Sequence, residues 1–338
     1  MQTLRPVNEF ELIRRYFTRP ARRARLGVGD DCALIDAHGT LAISTDALIE
    51  GRHFLSGVDP EALGHKALAV NLSDLAAMGA EPLVCTLALA LPAPRAQDSG
   101  WMQAFSHGFN TLAERYDCEL MGGDTTASPL IMISVTIIGQ VPPEQALRRS
   151  RAQVGDDIYV SGHIGDAALA LAWLQAGKAP PAALRQRLER PEPRVALGLG
   201  LRGIAHAAID LSDGLSGDLQ HILTASAQSG GPALGASIEL EQLPTSPEFE
   251  QAASGLTPEQ KWHYQLAGGD DYELCFTAPI SKRESIAQAA AQAGVEVRRI
   301  GRIDSEAGLR WRDNGQPVTL KLQSFDHFID TSLKHTAA

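Results

Sequence analysis

Apolar positions recur along this chain with two periods, and the changes of period divide it into elements. Phe10, Ile13 and Phe17 fall at helical spacing and predict a short helix over 8–17. A glycine turn follows, Gly27-Val28-Gly29-Asp30-Asp31, and then strands over 32–35 and 41–45. Asp59-Pro60-Glu61 starts a helix, with a capping carboxylate followed by proline in the first turn; it should end at Gly79. A long apolar run over 83–91 reads as a strand closed by Pro92 and Pro94. Asp98 then caps a helix whose Trp101, Phe105, Phe109 and Leu112 share one face. Residues 119–121 lead into Gly122-Gly123-Asp124, and a partly alternating strand covers 131–141.

The second half mixes the two periods without a regular strand–helix–strand rhythm. Strands are expected over 158–161, 207–211, 272–277, 295–303, 309–312 and 318–322, with Asp313-Asn314-Gly315 as a hairpin turn. Helices are expected from Asp166 and over 182–188, 195–201, 215–227 and 282–293. The pattern predicts an α+β protein of two domains, 1–141 and 156–330, joined by a polar linker over 142–155 and followed by a tail over 331–338. A length of 338 residues exceeds what one hydrophobic core usually serves.

Composition removes several function classes. The net charge is -10, with no basic stripe to offset it, which argues against a nucleic-acid binder. The cluster Arg19, Arg22, Arg23 and Arg25 reads as a solvated, mobile loop. Cys32, Cys85, Cys118 and Cys275 show no metal or redox spacing and read as reduced, mostly buried thiols. Neither a leader nor a membrane-spanning run is apparent, so a cytoplasmic protein is expected.

Candidate chemistry lies in the acidic turns. Gly-Asp-Asp occurs at 29–31, 155–157 and 269–271. The middle copy reads as a turn that opens a strand. The others join Asp46, Asp74, Asp124, Asp210 and Asp213, all at junctions between loops and regular elements. A single such pair is usually a turn. Repeated placement in both halves suits a multi-metal phosphate site between two domains, because gathered carboxylates repel unless hard cations such as Mg²⁺ lie among them. Asp74 sits in a heavily apolar helix, where an uncompensated charge is expensive. His53, in a glycine loop after the first acidic strand, is the one histidine that stands out. No P-loop motif is present. Gly198-Leu199-Gly200-Leu201-Arg202-Gly203 fits G-x-G-x-x-G but lies in a helix-like run with no strand before it, so a dinucleotide site is not expected there.

Ordered blocks then carry a resemblance: Gly29-Asp30-Asp31-Cys32-Ala33, Ser44-Thr45-Asp46, Gly51-Arg52-His53-Phe54, 71–79 (Asn-Leu-Ser-Asp-Leu-Ala-Ala-Met-Gly), Gly122-Gly123-Asp124, Asp210-Leu211-Ser212-Asp213-Gly214 and 268–274. Over nearly its whole length the chain resembles the thiamine-monophosphate kinases of the aminoimidazole-ribonucleotide synthetase superfamily. The resemblance implies ATP-dependent phosphorylation of thiamine monophosphate to thiamine diphosphate. It implies Mg²⁺ ligation by Asp31, Ser44, Thr45, Asp46, Asp74, Asp124, Asp210 and Asp213, with Asp30 beside them. It also implies ATP contacts from Gly123, Asp124, Arg149 and Ser212, and acceptor contacts from His53, Asp270 and Phe325. A homodimer built by the N-terminal domains is implied as well. Neither a nucleophile nor a general base is expected, since a phosphate monoester is already largely dianionic at neutral pH. One departure stands out. The family motif usually reads Gly-Gly-Glu-Asp-Tyr, and this chain has Asp270 at its third position. Related superfamily enzymes and a nucleotide-binding regulator without catalysis are the alternatives; Cys32, after the aspartates, does not look like the flexible-loop nucleophile of a selenophosphate synthetase.

Overall fold

The computed structural model describes residues 9–28, 32–37, 39–229 and 233–322. Two compact units divide the chain. One comprises 1–147 with 189–204 and 288–294; the other comprises 148–188, 205–287 and 295–338.

The first unit is built on a four-stranded sheet in the order Thr40–Ile49, Met132–Val141, Glu81–Leu91 and Glu119–Ala127. The first three pair antiparallel, and the last pairs parallel to Glu81–Leu91. Strand alternation sorts the residues. Cys85, Leu87 and Leu89 are buried, as are Ile133, Val135 and Ile137, beneath the helix Pro60–Ala77. Asp59 caps that helix by accepting the Ala62 N–H at 2.8 Å. The helix Ser99–Arg115 packs on it through Phe105 and Phe109, both fully buried. On the other face of the sheet Ile43 and Met132 stay exposed, in line with Thr45, Thr136 and Thr86.

Two expectations change in this unit, and a third holds. The segment 9–17 is a short helix, Glu9–Leu12, that widens at Ile13–Phe17, where the Thr18 N–H reaches back to the Ile13 carbonyl at 3.0 Å. Widening rotates the apolar face, so Leu12, Tyr16 and Phe17 are buried while Phe10 is exposed. The arginine cluster is not a loose loop. Arg22 and Arg23 donate their backbone N–H groups to the buried Glu119 carboxylate at 2.7 and 2.6 Å, and Ala24–Leu26 pairs with Leu34–Ile35. Gly198 lies in the helix Val195–Gly200, where a Cβ would come within 2.1 Å of the Ala76 carbonyl oxygen; its glycine serves close helix packing.

The second unit holds a seven-stranded sheet in the order Gln316–Val318, Gly308–Asp313, Gly235–Glu239, Val297–Asp304, Asp157–Ser161, Leu274–Ala278 and Ala207–Asp210. Among the described strands of this sheet only Gly308–Asp313 and Gly235–Glu239 pair in parallel. Its core gathers Ile158, Val160, Ile209, Leu219, Ile222 and Ile238. The strand expected from Tyr272 starts at Leu274, because Asp270 and Tyr272 take left-handed φ values of 69° and 49°. No pairing extends the last strand past Val318. Several further elements had no counterpart in the periodicity, among them a strand and a helix. Gly235–Glu239 is a short central strand, and Pro258–Ala267 is a helix opened by a capping box between Thr257 and Gln260. The middle Gly-Asp-Asp does open a strand. Buried Asp156 accepts from the Gln153 N–H and the Thr277 hydroxyl, and Asp157 pairs with Arg283 at 2.6 Å.

Candidate functional site

In the first unit the strand Thr40–Ile49 and the helix Pro60–Ala77 supply facing residues. Ser44 donates its hydroxyl to Asp74 Oδ2 at 2.5 Å. Asn71, fully buried one turn earlier, accepts the Asp46 N–H at 3.1 Å and donates to the Ala67 carbonyl at 3.0 Å. Ser44, Asp46 and Asp74 are thus brought together. The pleat turns the Thr45 side chain to the opposite face, where its hydroxyl meets that of Thr136 at 2.8 Å. Any contribution of Thr45 on the helix side would come from its backbone.

His53 accepts the Ile49 N–H on Nδ1 at 3.0 Å, which leaves Nε2 as the donor of the neutral ring. Gly123 and Asp124 lie on the other edge strand, three strand spacings from Asp46, or about 14 Å along a flat sheet. They line a cavity of about 840 Å³ together with Phe17, Val28, Cys32 and Leu120. Asp30 and Asp31 fall outside the described residues, as does Phe325.

The second unit assembles its residues through register. Leu274 pairs antiparallel with Asp210, so the exit of one strand lies beside the entry of the other. Asp270 donates its N–H to the Ser212 carbonyl at 3.0 Å, and Tyr272 donates to the Leu211 carbonyl at 2.8 Å. Gly269 permits this approach, since a Cβ there would sit 2.4 Å from the Ser212 oxygen. The Tyr272 hydroxyl donates to Asp270 Oδ1 at 3.2 Å. Asp271 accepts the Gly165 N–H at 3.0 Å; burial pushes its carboxyl well above the usual range, against that hydrogen bond.

Sequence reasoning missed Asp218. It is 2% exposed and accepts the N–H groups of Asp213 and Gly214 at 3.2 and 3.1 Å. Burial and the neighbouring Asp213 charge raise its pKa to about 7, and Arg149 pulls the other way. The signal was present as an acidic residue in the first turn after Ser212-Asp213-Gly214. Asn71 was noticed only as part of a helix, because nothing in a sequence says whose backbone an amide will reach.

Within each unit the donors are carboxylate and hydroxyl oxygens, the chemistry a hard divalent cation takes. Among the described residues no group of three His, Cys, Asp or Glu side chains is arranged to hold a metal ion.

The profile of the family described as AIR synthase related protein, N-terminal domain, matches residues 29–141. Thiamine-monophosphate kinase of Salmonella typhimurium is 46% identical over 332 residues, 95% of this chain and 98% of that protein. The Escherichia coli K12 enzyme of the same name is 47% identical over the same shares. This chain belongs to the thiamine-monophosphate kinase family. The crystal structure of the family member from Stenotrophomonas maltophilia K279a agrees at a TM-score of 0.78 and 44% identity, covering 88% of this chain and 92% of that one. AaThiL complexed with AMPPCP and TMP agrees at a TM-score of 0.73 and 32% identity, over 85% and 87% of the two chains. Membership bears out the fold class and the resemblance drawn from the ordered motifs. No helix among the described residues is long and apolar enough to cross a membrane.

Proposed function

We propose that this protein transfers the γ-phosphoryl group of ATP to thiamine monophosphate, giving thiamine diphosphate and ADP by direct in-line displacement. The observation that carries this reading is identity of 46–47% across 95% of the chain with kinases of that name, together with a relative solved with AMPPCP and TMP. Transfer between two polyanions needs charge compensation and alignment more than activation of the acceptor. Asp46, Asp74, Asp124, Asp210 and Asp213, with Ser44, Asp30 and Asp31, would hold Mg²⁺, and their all-oxygen donor set suits it. Bound Mg²⁺ would neutralise phosphate charge.

The remaining roles belong to the chain itself. Asn71 fixes the Asp46 backbone, and the Ser44–Asp74 hydrogen bond orients that carboxylate. Gly123 and Asp124 open onto the cavity of about 840 Å³ that we assign to the nucleotide. Arg149 and Ser212 would contact the nucleotide phosphates. His53, whose Nε2–H is left as donor, and Asp270, oriented by Tyr272, would each contact the acceptor.

A homodimer goes with this reading. Ile43, 64% exposed, and Met132, 43% exposed, lie on the sheet face away from the helices, which a second copy would cover. The unpaired thiols of all four cysteines agree with a reducing, cytoplasmic location. The test is incubation with ATP, thiamine monophosphate and Mg²⁺, followed by phosphorus NMR. Thiamine diphosphate that disappears on chelation is expected; bound ATP with no product would overturn the reading.

A further inference from the structure

Two loops of the second unit that carry candidate nucleotide ligands rest on one helix, Leu215–Gln228. At its first turn, Asp218 takes the N–H groups of Asp213 and Gly214 on a single oxygen. In its last turn, Ser226 donates its hydroxyl to the Arg149 carbonyl at 3.0 Å and accepts the Ala152 N–H at 3.1 Å. Asp213 and Arg149 are far apart in sequence, and this helix fixes the backbone of both.

Asp218 does more than close the helix end. It lies inside the helix, and its buried carboxylate reaches back out to take the N–H groups of Asp213 and Gly214 in the preceding loop. At the other end Ser226 ties the Arg149 segment to the same helix.

We propose that Asp218 is a positioning residue of the phosphoryl-transfer site: it holds the Asp213–Gly214 backbone so that the Asp213 carboxylate and the Ser212 hydroxyl meet the metal-bound nucleotide in fixed geometry. This rests on the kinase reading. The side chain lies beneath the loop and acts through Asp213. Loss of its acceptor therefore loosens the nucleotide side of the site and leaves acceptor recognition by His53 in place.

Binding of Mn²⁺ and ADP, measured by calorimetry without turnover, separates these roles. Asp218→Ala should weaken Mn²⁺·ADP about tenfold, the scale of one lost buried hydrogen bond, while the KM for thiamine monophosphate stays within about twofold. Asp218→Asn, which keeps an acceptor, should recover most of that affinity. Hydrogen exchange at the Asp213 and Gly214 amides should quicken in the alanine variant. If Asp218→Ala does not fold, Asp218→Ser, whose oxygen is too short to reach both N–H groups, replaces it with the same expectation. A variant lacking the acceptor that binds Mn²⁺·ADP like the wild type, however much its melting temperature drops, makes Asp218 a helix cap and overturns the proposal. Wild-type protein that does not bind Mn²⁺·ADP overturns the kinase reading itself.

Discussion

Replacing Gly269 with alanine perturbs both sides of the second unit's site with a single methyl group. The new Cβ would lie 2.4 Å from the Ser212 oxygen, where ordinary contact begins at 3.4 Å, so the two segments must part by about 1 Å. They have little room to do so. Asp270 holds Ser212 at 3.0 Å, Tyr272 holds Leu211 at 2.8 Å, and Asp218 holds the next two N–H groups from below. A 1 Å opening stretches the Asp270–Ser212 bond to about 4 Å and breaks it. Overpacking costs about 1–3 kcal/mol, and the lost hydrogen bond about 1 kcal/mol more. Displacement on this scale at a phosphoryl-transfer site lowers the rate by about a hundredfold. Steady-state ADP release should show a fall in kcat/KM of that order for both substrates, with circular dichroism confirming that the variant is folded at the assay temperature. Gly255→Ala is the control, since a Cβ there meets nothing within 4 Å. Wild-type kcat/KM in Gly269→Ala, or an equal loss in Gly255→Ala, would refute the clamp.

Further predictions concern single side chains. Asp74→Asn and Asp213→Asn should each lower kcat severely with the fold retained, and unchanged kcat in either variant excludes metal ligation there. Asn71→Ala leaves the Asp46 N–H without its buried acceptor, so the first unit should lose about 1–3 kcal/mol in urea melts and activity should drop; an unchanged urea midpoint would mean that this hydrogen bond carries no weight. Asp270→Glu should keep activity, whereas Asp270→Ala should raise the KM for thiamine monophosphate; an unchanged KM removes Asp270 from the acceptor site. His65 is held below its usual 6.5, chiefly by burial. The unfolded chain then binds its proton more readily, so stability is full above pH 6.5 and falls as pH drops through that value. His65→Gln should flatten this acid-side loss in thermal melts between pH 7 and 5, and an unchanged slope assigns the loss to other groups.

How much of the site could be read beforehand depends on the kind of contact. Local signals carried far. Asp59 before Pro60, the alternation along 131–141 and the Trp101–Leu112 face each reappear as a cap, a strand and a buried helix face. The helix Pro258–Ala267 was missed although its start carries a local signal, Thr257-Pro258-Glu259-Gln260, since a capping box needs only neighbours in sequence. Other features had no local source. The strand Gly235–Glu239 is short and glycine-led, and the burial of Ala236 and Ile238 comes from strands far along the chain. The left-handed backbone at Asp270 and Tyr272 cut short a run that propensity extends as strand.

The family, the α+β class and the aspartates with which chemistry must be done follow from the chain's order of residues, because ordered acidic motifs and periodicity need no folding to be present. Which of those residues share a face, and what holds them, came from packing between distant segments. It paired Ser44 with Asp74 and turned Thr45 away, through the strand's pleat. It set Asp270 against Ser212 through antiparallel register, and it placed Asn71 and Asp218 behind the ligands. A side chain's chemical type is fixed by the code, but the backbone it will support depends on packing between distant segments. That packing exists only once the chain has folded.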